Sequence, residues 1–381
     1  MKKFSRRALA QLTASALAAQ QSNPEYTGPL TGFNDKVTGR GLDPLPHALR
    51  LLDAAPRRLK FSAGNKSQAQ QWQGHLRLKL IELLGGFPSE RGPLKPFTLE
   101  TRDYGKYRRE KVVFDSRDGV SVLAYVLTPA GSRTPLPAVI CVPGHGRGVD
   151  DIVGIDDKGR DRTDKAGYQH DFAVQIAEAG MAAVAIEPMG FGCRRDPRSS
   201  KRGLGQSSCQ PVAGTAMLLG QTMIGWRVYD VMRTIDWMAS RPELDAKRIG
   251  CMGISGGGTC TLFAAALEPR IRAAFISGYL NTFRDSVGSI SHCIDNYVPG
   301  ILNWAEMYDI AGLIAPRPLF VESGSKDNIF PVEASVDSFK RVSAIYEVFG
   351  AADRVGQEVF DEAHSFWGKK GIPFLSSYLK A

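Results

Sequence analysis

The sequence lacks several features that would place it in a specialised class of protein. No segment of its 381 residues approaches the length and apolarity of a membrane span, so an integral membrane segment is not expected. It contains no internal repeat, low-complexity tract or interdomain linker, which excludes solenoids and other repeat architectures. The formal net charge is +9, but no basic patch interleaved with aromatic residues occurs, so a nucleic-acid partner is not expected either.

The six cysteines show no metal-ligand spacing, and the sequence therefore predicts no metal site. Cys141, Cys251 and Cys260 fall in predicted core elements and are expected to be buried thiols. Cys193 and Cys209 lie on one polar segment, where a disulfide would be compatible with an exported protein.

The most informative segment that is present is Gly253-Ile-Ser-Gly-Gly257. This Gly-x-Ser-x-Gly pattern alone fits a glycine-rich loop as well as a nucleophile elbow, in which serine occupies a sharp turn between a strand and a helix. The apolar run 249–252 before it predicts the strand, and residues 259–267 after it predict the helix. We therefore expect Ser255 to be a nucleophile, with the N–H of Gly256 at the start of the helix as an oxyanion donor.

A serine hydroxyl needs a base, and His364 is the predicted one. It follows a strand-like run, Glu358-Val-Phe-Asp361, near the C-terminus. Of the other histidines, His292 is expected either to contact substrate or to have a structural role. The remaining ones are assigned to the surface, to capping or packing, or to a backbone role: His47, His75, His170 and His145.

The acid that orients this base is predicted to be Asp327. It ends an apolar strand, Pro318 to Glu322, and lies between Ser255 and His364 in the order that the nucleophile-elbow fold requires. Asp361 and Glu362 are alternatives, but their closeness to His364 in the chain favours exposed loop positions.

A second oxyanion donor is expected from the loop that follows the apolar run 137–142. This loop reads Pro-Gly-His-Gly-Arg-Gly over residues 143–148, and its glycines allow the backbone to approach a ligand closely. The backbone N–H of His145 is the predicted donor, and Gly144 is a candidate substrate-binding residue.

Together these segments resemble the α/β-hydrolase superfamily, and within it the dienelactone-hydrolase-like and acetyl xylan esterase-like hydrolases. The resemblance covers about residues 110–375 and rests on segments that occur in the family's order: Val-Pro-Gly-His-Gly-Arg-Gly, Pro-Met-Gly-Phe-Gly, the elbow, Ile-Ala-Pro-Arg-Pro-Leu-Phe-Val-Glu-Ser-Gly-Ser-Lys-Asp and Glu-Ala-His. Dienelactone hydrolases proper use a cysteine nucleophile, so Ser255 favours the esterases. Acetyl xylan esterases usually carry a tyrosine after the His-Gly of the oxyanion loop, whereas this chain has Gly144-His145.

The resemblance implies an α/β-hydrolase fold with a mostly parallel central sheet and helices on both faces. Alternating strand-like and helix-like segments predict the same parallel βαβ construction. Residues 97–128 predict an N-terminal antiparallel hairpin with a turn at 116–119, and residues 214–240 predict one long helix. The polar segment 187–211 is expected either to border the active site or to be a solvated loop.

The N-terminus predicts an export signal over residues 1–20. Four basic residues, no acidic residue and the pair Arg6-Arg7 precede a mildly apolar stretch, which resembles a twin-arginine signal. The protein is then periplasmic or secreted, whereas a retained basic helix would leave it cytoplasmic. Residues 21–96 are expected to form a helical or loop extension, and residues 97–381 the catalytic domain.

These features predict a serine carboxylic-ester hydrolase that uses Ser255, His364 and Asp327 without a metal or an organic cofactor. The resemblance implies a carbohydrate ester, with an acetyl or other short acyl group, as the substrate. A peptidase or amidase on the same fold, and a non-catalytic binding protein on a hydrolase scaffold, are the alternatives.

Overall fold

The structure, a computed structural model, describes residues 28–381, and the predicted export signal lies outside this range. The described chain divides after residue 51 into two compact units. The first unit contains a 3-10 turn over Asn34–Val37 and most of helix α1 (Leu45–Asp53), neither of which buries a residue. The second unit, residues 52–381, contains all the strands of the described chain.

One sheet of nine strands organises the second unit. Its strands are β1 (Phe97–Asp103), β2 (Tyr107–Arg117), β3 (Val120–Pro129), β4 (Leu136–Val142), β5 (Ala182–Ile186), β6 (Leu244–Ile254), β7 (Ile271–Ser277), β8 (Leu319–Gly324) and β9 (Val355–Phe360). Their spatial order is β1-β2-β3-β5-β4-β6-β7-β8-β9. The pairs from β5 to β9 are all parallel, which confirms the predicted α/β-hydrolase sheet.

The N-terminal strands form an antiparallel extension of this sheet. β2 and β3 form the predicted hairpin, with Gly119 at φ +69° in the turn between them. β1 also pairs antiparallel with β2, and β3 joins the parallel part through an antiparallel pairing with β5. The extension is therefore three strands wide rather than a single hairpin.

Helices pack on both faces of the sheet, as predicted. The α-helices of the second unit after α1 are α2 (Lys66–Leu83), α3 (Phe172–Glu178), α4 (Pro197–Lys201), α5 (Cys209–Leu218), α6 (Met223–Ala239), α7 (Gly256–Leu267), α8 (Met307–Gly312), α9 (Val332–Val348) and α10 (Gly371–Leu379). Alternate residues of β4 belong to different apolar clusters, with Ile140 in one and Cys141 in the other. Both faces of this central strand are buried, which explains its continuous apolar sequence.

The prediction of one helix over residues 214–240 is wrong. Helix α5 ends at Leu218, the chain passes through Gly220 at φ +68°, and α6 begins at Met223. The Thr222 hydroxyl caps α6 by accepting a hydrogen bond from the N–H of Gly225 at 3.0 Å. The apolar spacing that indicated the helix begins at Ile224, beyond the break, so it did not reveal the two helix ends.

Part of the expected N-terminal extension belongs to the core. Leu76 and Leu80 of α2 are fully buried in the larger apolar cluster, so this helix is a structural part of the catalytic unit. In the described chain, no helix has the length and apolarity needed to cross a membrane.

A pair of substitutions in α2 tests its contribution to stability. We expect Leu76→Ala to lower the free energy of unfolding by about 2–5 kcal/mol, because it leaves a cavity at a fully buried position. Leu78→Ala on the same helix is the matched control, since Leu78 is 69% exposed. Urea denaturation measures both, and equal small effects would contradict the assignment of α2 to the core.

Candidate active site

Ser255 occupies a strained turn between β6 and α7. Its backbone has φ 56° and ψ −122°, a conformation that residues with a Cβ rarely adopt. The two flanking glycines permit it, because a Cβ on Gly257 would overlap the carbonyl oxygen of Val142 and one on Gly253 would approach that oxygen to 2.6 Å. The sequence around Ser255 therefore forms the predicted elbow.

Asp327 and His364 meet beside this elbow, each on the loop after its strand. The Nδ1 of His364 lies 2.6 Å from the Oδ2 of Asp327. The other oxygen of Asp327 accepts hydrogen bonds from the N–H groups of Ile329 at 2.8 Å and Phe330 at 3.0 Å. This arrangement fixes the carboxylate and leaves one oxygen to orient the imidazole.

The second nitrogen of His364, Nε2, is buried and has no hydrogen-bond partner among residues 28–381. His364 and Ser255 line the same cavity, so this nitrogen is available to take the serine proton. The alternative acids are elsewhere: Asp361 pairs with Lys326 at 3.0 Å on the surface, and Glu362 is exposed. The structure thus brings together the three residues predicted as a triad.

The predicted oxyanion loop lies directly against the elbow. A Cβ on Gly144 would overlap the Tyr168 hydroxyl and lie 3.1 Å from the Ser255 Cβ, so only glycine fits there. The Gly144 N–H donates to the Oε1 of Gln169 at 2.8 Å, which leaves His145 as the next donor along the loop. Gly256 is the first residue of α7, and its N–H has no acceptor within the helix.

Tyr168 joins the oxyanion loop to the base. Its hydroxyl donates a hydrogen bond to the carbonyl oxygen of His145 at 2.7 Å. Its ring stacks on the imidazole of His364, with the ring centroids 5.7 Å apart. No short-range sequence signal indicates this role, because Tyr168 lies 23 residues after His145 and outside the elbow and oxyanion-loop motifs.

A cavity of about 340 Å³ opens above these groups. Apolar and polar side chains mix in its wall: His145, Tyr168, Ser255, Ile290, Ser291, His292, Cys293, Ile329 and His364. His292, a candidate substrate contact, lies in this wall, and its Nδ1 is 3.0 Å from the Nδ2 of Asn296. Gly144, the other candidate, is not among the wall residues.

The remaining histidines are outside the reacting centre. His47 and His75 are exposed, which agrees with the surface positions expected for them. The Nδ1 of His170 lies 2.7 Å from the carbonyl oxygen of Phe366, so this residue contacts the segment that follows His364.

Glu322 supports that same segment and was missed by the sequence analysis. It is fully buried in β8 and accepts hydrogen bonds from the Ser277 hydroxyl at 2.7 Å and from the N–H groups of Trp367 at 2.9 Å and Gly368 at 2.8 Å. Burial raises the pKa of Glu322 to about 7. The signal available in the sequence was an acidic residue, Glu322, at the end of the apolar run Leu319–Val321.

Glu187 supports the oxyanion loop in a similar way. Its carboxyl group fills the space beside Gly148 and Gly192, where a Cβ on either residue would overlap it. It accepts a hydrogen bond from the N–H of Val149 at 3.2 Å, and burial raises its pKa to about 8. The segment 187–211 therefore contacts the oxyanion loop and is not simply solvated.

One further cluster lies beside the oxyanion loop. The Nε2 of His145, the Sγ atoms of Cys209 and Cys293 and a carboxylate oxygen of Asp295 all lie within 4.8 Å of one another, close enough to hold a metal ion. Cys209 is therefore next to Cys293, and the thiols of Cys193 and Cys209 are both free rather than joined in a disulfide. Cys293 and Asp295 are neighbours in the chain, but Cys209 is 64 residues from His145 and 86 residues from Asp295, which hid the cluster from spacing rules.

Comparison with known proteins identifies the family. The sequence model of the Abhydrolase family matches residues 48–364, which is most of the chain. The chain belongs to the Abhydrolase family. This match and the sheet order confirm the resemblance that the elbow and the triad motifs indicated.

Two curated proteins are similar to this Abhydrolase-family chain. It is 28% identical over 285 residues to YtaP, a proposed hydrolase of Bacillus subtilis (strain 168), in an alignment covering 73% of the chain and 89% of YtaP. It is 27% identical over 124 residues to the acetyl esterase Axe7A of Xylanibacter ruminicola, covering 30% of the chain and 28% of Axe7A.

Solved structures show the same fold. A proposed acetyl xylan esterase from Bacteroides fragilis superposes with a TM-score of 0.77 at 20% identity, covering 90% of this chain and 96% of that one. A glucuronoyl esterase from Solibacter usitatus superposes with a TM-score of 0.62 at 15% identity, covering 81% of this chain and 93% of that one.

Replacing Glu322 tests its role in positioning the base. In Glu322→Gln the amide nitrogen takes the place of one carboxylate oxygen and meets a backbone N–H, so the segment after His364 shifts. We expect kcat for p-nitrophenyl acetate to fall by about 10- to 100-fold, with a smaller change in KM. Ser277→Ala removes only the hydroxyl donor to Glu322 and should have little effect; an unchanged kcat in Glu322→Gln would contradict the role.

The raised pKa of Glu187 predicts a dependence of stability on pH. The group titrates at about 8 in the folded protein and near its ordinary value of 4.5 when unfolded, so the folded state retains the proton longer. The free energy of unfolding should therefore fall as pH rises from about 4.5 to 8, by about 2–4 kcal/mol.

Urea denaturation across this pH range measures the effect. Glu187→Gln should flatten the decline, whereas Glu362→Gln, at an exposed position, should retain the wild-type slope. Parallel slopes in all three proteins would show that Glu187 is not the titrating group.

Proposed function

We propose that this protein is a serine carboxylic-ester hydrolase that removes acetyl or other short acyl groups from a carbohydrate. The observation that carries the proposal is the elbow serine, Ser255, in one cavity with His364, whose Nδ1 is held by Asp327. The unpartnered Nε2 of His364 is the atom that a general base requires.

The proposed reaction proceeds through an acyl-enzyme. The Oγ of Ser255 attacks the ester carbonyl while the Nε2 of His364 accepts its proton, and Asp327 stabilises the resulting imidazolium. The N–H groups of Gly256 and His145 donate to the oxyanion. His364 then protonates the departing alcohol, and water, activated by the same base, hydrolyses the acyl-enzyme.

The similar proteins support an ester as the substrate. The named relatives and structural neighbours include an acetyl esterase, a proposed acetyl xylan esterase and a glucuronoyl esterase. The wall of the cavity mixes apolar side chains, such as Ile290 and Ile329, with the polar His292 and Ser291. Such a wall suits a small acyl group attached to a hydroxylated alcohol.

Activity measurements on Ser255→Ala test the nucleophile. We expect turnover of p-nitrophenyl acetate to fall by about 10⁴- to 10⁶-fold, because no other group in the proposed mechanism forms the acyl-enzyme. Ser291→Ala is the matched control, since Ser291 lines the same cavity but has no part in the reaction. Undiminished turnover in Ser255→Ala would refute the assignment.

A substrate panel tests the ester class. The wild type should prefer p-nitrophenyl acetate to the butyrate and octanoate, and should release acetate from acetylated xylan. Hydrolysis of methyl glucuronate without release of acetate would show that the sugar supplies the carboxyl group of the ester rather than its alcohol. Cleavage of a peptide anilide without ester cleavage would favour a peptidase, and inactivity on the whole panel would favour a binding protein.

A further inference from the structure

Three separate parts of the chain meet beside the proposed active site. The oxyanion loop supplies His145, the first residue of α5 is Cys209, and the segment after β7 supplies Cys293 and Asp295. Cys209 and Asp295 are buried, and Cys293 and His145 also line the cavity that contains Ser255. Four atoms of the kinds that bind metals therefore lie close together in a largely buried region.

The contact between His145 and Asp295 is too long for an ordinary charge-assisted hydrogen bond, although the Cys209 thiol is within hydrogen-bond distance of Asp295. The Nε2 of His145 lies 3.4 Å from the Oδ2 of Asp295 and 3.8 Å from the Sγ of Cys209. A charge-assisted N–H···O bond is about 2.7–2.9 Å long. The His364–Asp327 pair, at 2.6 Å, shows that a histidine and an aspartate in this protein do approach closely when they are hydrogen bonded.

The same distances fit the edges of a coordination tetrahedron. With Zn–N and Zn–O near 2.0–2.1 Å and Zn–S near 2.3 Å, tetrahedral ligand atoms stand about 3.4–3.8 Å apart. The three separations among His145 Nε2, Asp295 Oδ2 and Cys209 Sγ are 3.4, 3.5 and 3.8 Å. The Cys293 sulfur lies within 4.8 Å of each of these atoms and completes the set.

Groups outside the cluster hold two of these side chains in place. The buried guanidinium of Arg227 donates to the Oδ2 of Asp295 at 2.5 Å and to the Sγ of Cys209 at 3.5 Å. The Nδ2 of Asn296 donates to the other oxygen of Asp295 at 2.8 Å. Outer hydrogen bonds of this kind orient the ligands of metal sites.

The charges also balance around a divalent ion. Two thiolates and the carboxylate of Asp295 carry three negative charges, and the guanidinium of Arg227 supplies one positive charge. A dication neutralises the remaining two, which permits the thiolates of Cys209 and Cys293 to be buried together. Thiolate and imidazole ligands in a tetrahedral set favour Zn²⁺ among common divalent ions.

We propose that His145, Cys209, Cys293 and Asp295 form a binding site for a divalent zinc-like cation that joins the oxyanion loop, the start of α5 and the segment after β7. Binding releases the two thiol protons. All four ligands come from the protein, so the site is structural and leaves no open position for substrate. The proposal does not rest on the proposed function, because side chains hold the cation, whereas His145 takes part in the proposed reaction only through its backbone N–H.

Metal content tests this site directly. Protein purified without chelators and with a small excess of ZnCl₂, then desalted, should contain about one zinc ion per chain by plasma mass spectrometry. Cys209→Ser and Cys293→Ser should each reduce the content about tenfold or more, whereas Cys193→Ser, at an exposed free cysteine, should retain it. Ser255→Ala should also retain it, which separates this test from that of the nucleophile.

Two measurements on the wild type avoid dependence on how the variants fold. A mercurial thiol reagent should release zinc, detected with a chromogenic chelator, in step with the modification of two cysteines. Replacement of zinc by Co²⁺ should give the intense near-ultraviolet absorption of thiolate–cobalt bonds. Absence of bound zinc, equal zinc in all four variants, or a Cys209–Cys293 disulfide in the isolated protein would each overturn the proposal.

Discussion

The structure of the site depends on a steric constraint at the junction of two central strands. Ser255 adopts its left-handed conformation only because β6 and the following helix pass β4 at glycine contacts, with Gly257 against the carbonyl of Val142. The same contact places the oxyanion loop, which follows Val142, beside the serine. Nucleophile and oxyanion donors are therefore positioned by one packing relationship, and any side chain at Gly253 or Gly257 would disturb both.

Buried carboxyl groups fix the loops that the sheet itself does not hold. Asp327, Glu322 and Glu187 each lie at or beyond the carboxyl end of a parallel strand, and each accepts backbone N–H groups from a loop at that edge. The backbone N–H groups of a loop that leaves a sheet have no acceptor on a neighbouring strand. A buried carboxyl group can replace that acceptor for several N–H groups at once. Burial raises the pKa values of Glu322 and Glu187, the same two groups that anchor loops outside the triad.

The sequence was sufficient to predict the parts of the fold and site that depend on local order. Short-range signals mark the elbow motif, the strand before Asp327 and the position of His364. The order serine, acid, histidine along the chain, which is typical of the family, then indicated that the three residues act together. The break at Gly220 was not predicted because the apolar spacing that indicated the helix begins only at Ile224, although a glycine and a threonine cap were present before it. The burial of α2 was not predicted either, because its sequence is polar overall and carries apolar residues such as Leu78 on its exposed side as well as Leu76 on its buried side.

The cluster of His145, Cys209 and Asp295 shows the limit of such reasoning more clearly. Cys209 is 64 residues from His145 and 86 residues from Asp295 along the chain. Spacing rules for metal ligands apply when ligands share a turn or a helix, and these residues share only a place in the folded structure. The tertiary arrangement was needed to recognise them as neighbours.

The segment between β7 and α8 has a consequence for how such an enzyme can diverge. This segment contributes four residues to the cavity wall: Ile290, Ser291, His292 and Cys293. It contributes no strand to the sheet and no member of the proposed triad. Changes at Ile290, Ser291 and His292 would reshape the cavity without altering the strands that position the serine, whereas Cys293 belongs to the proposed cation site beside the oxyanion loop. Selection could therefore act on substrate preference and on chemistry almost separately, through different stretches of the same chain.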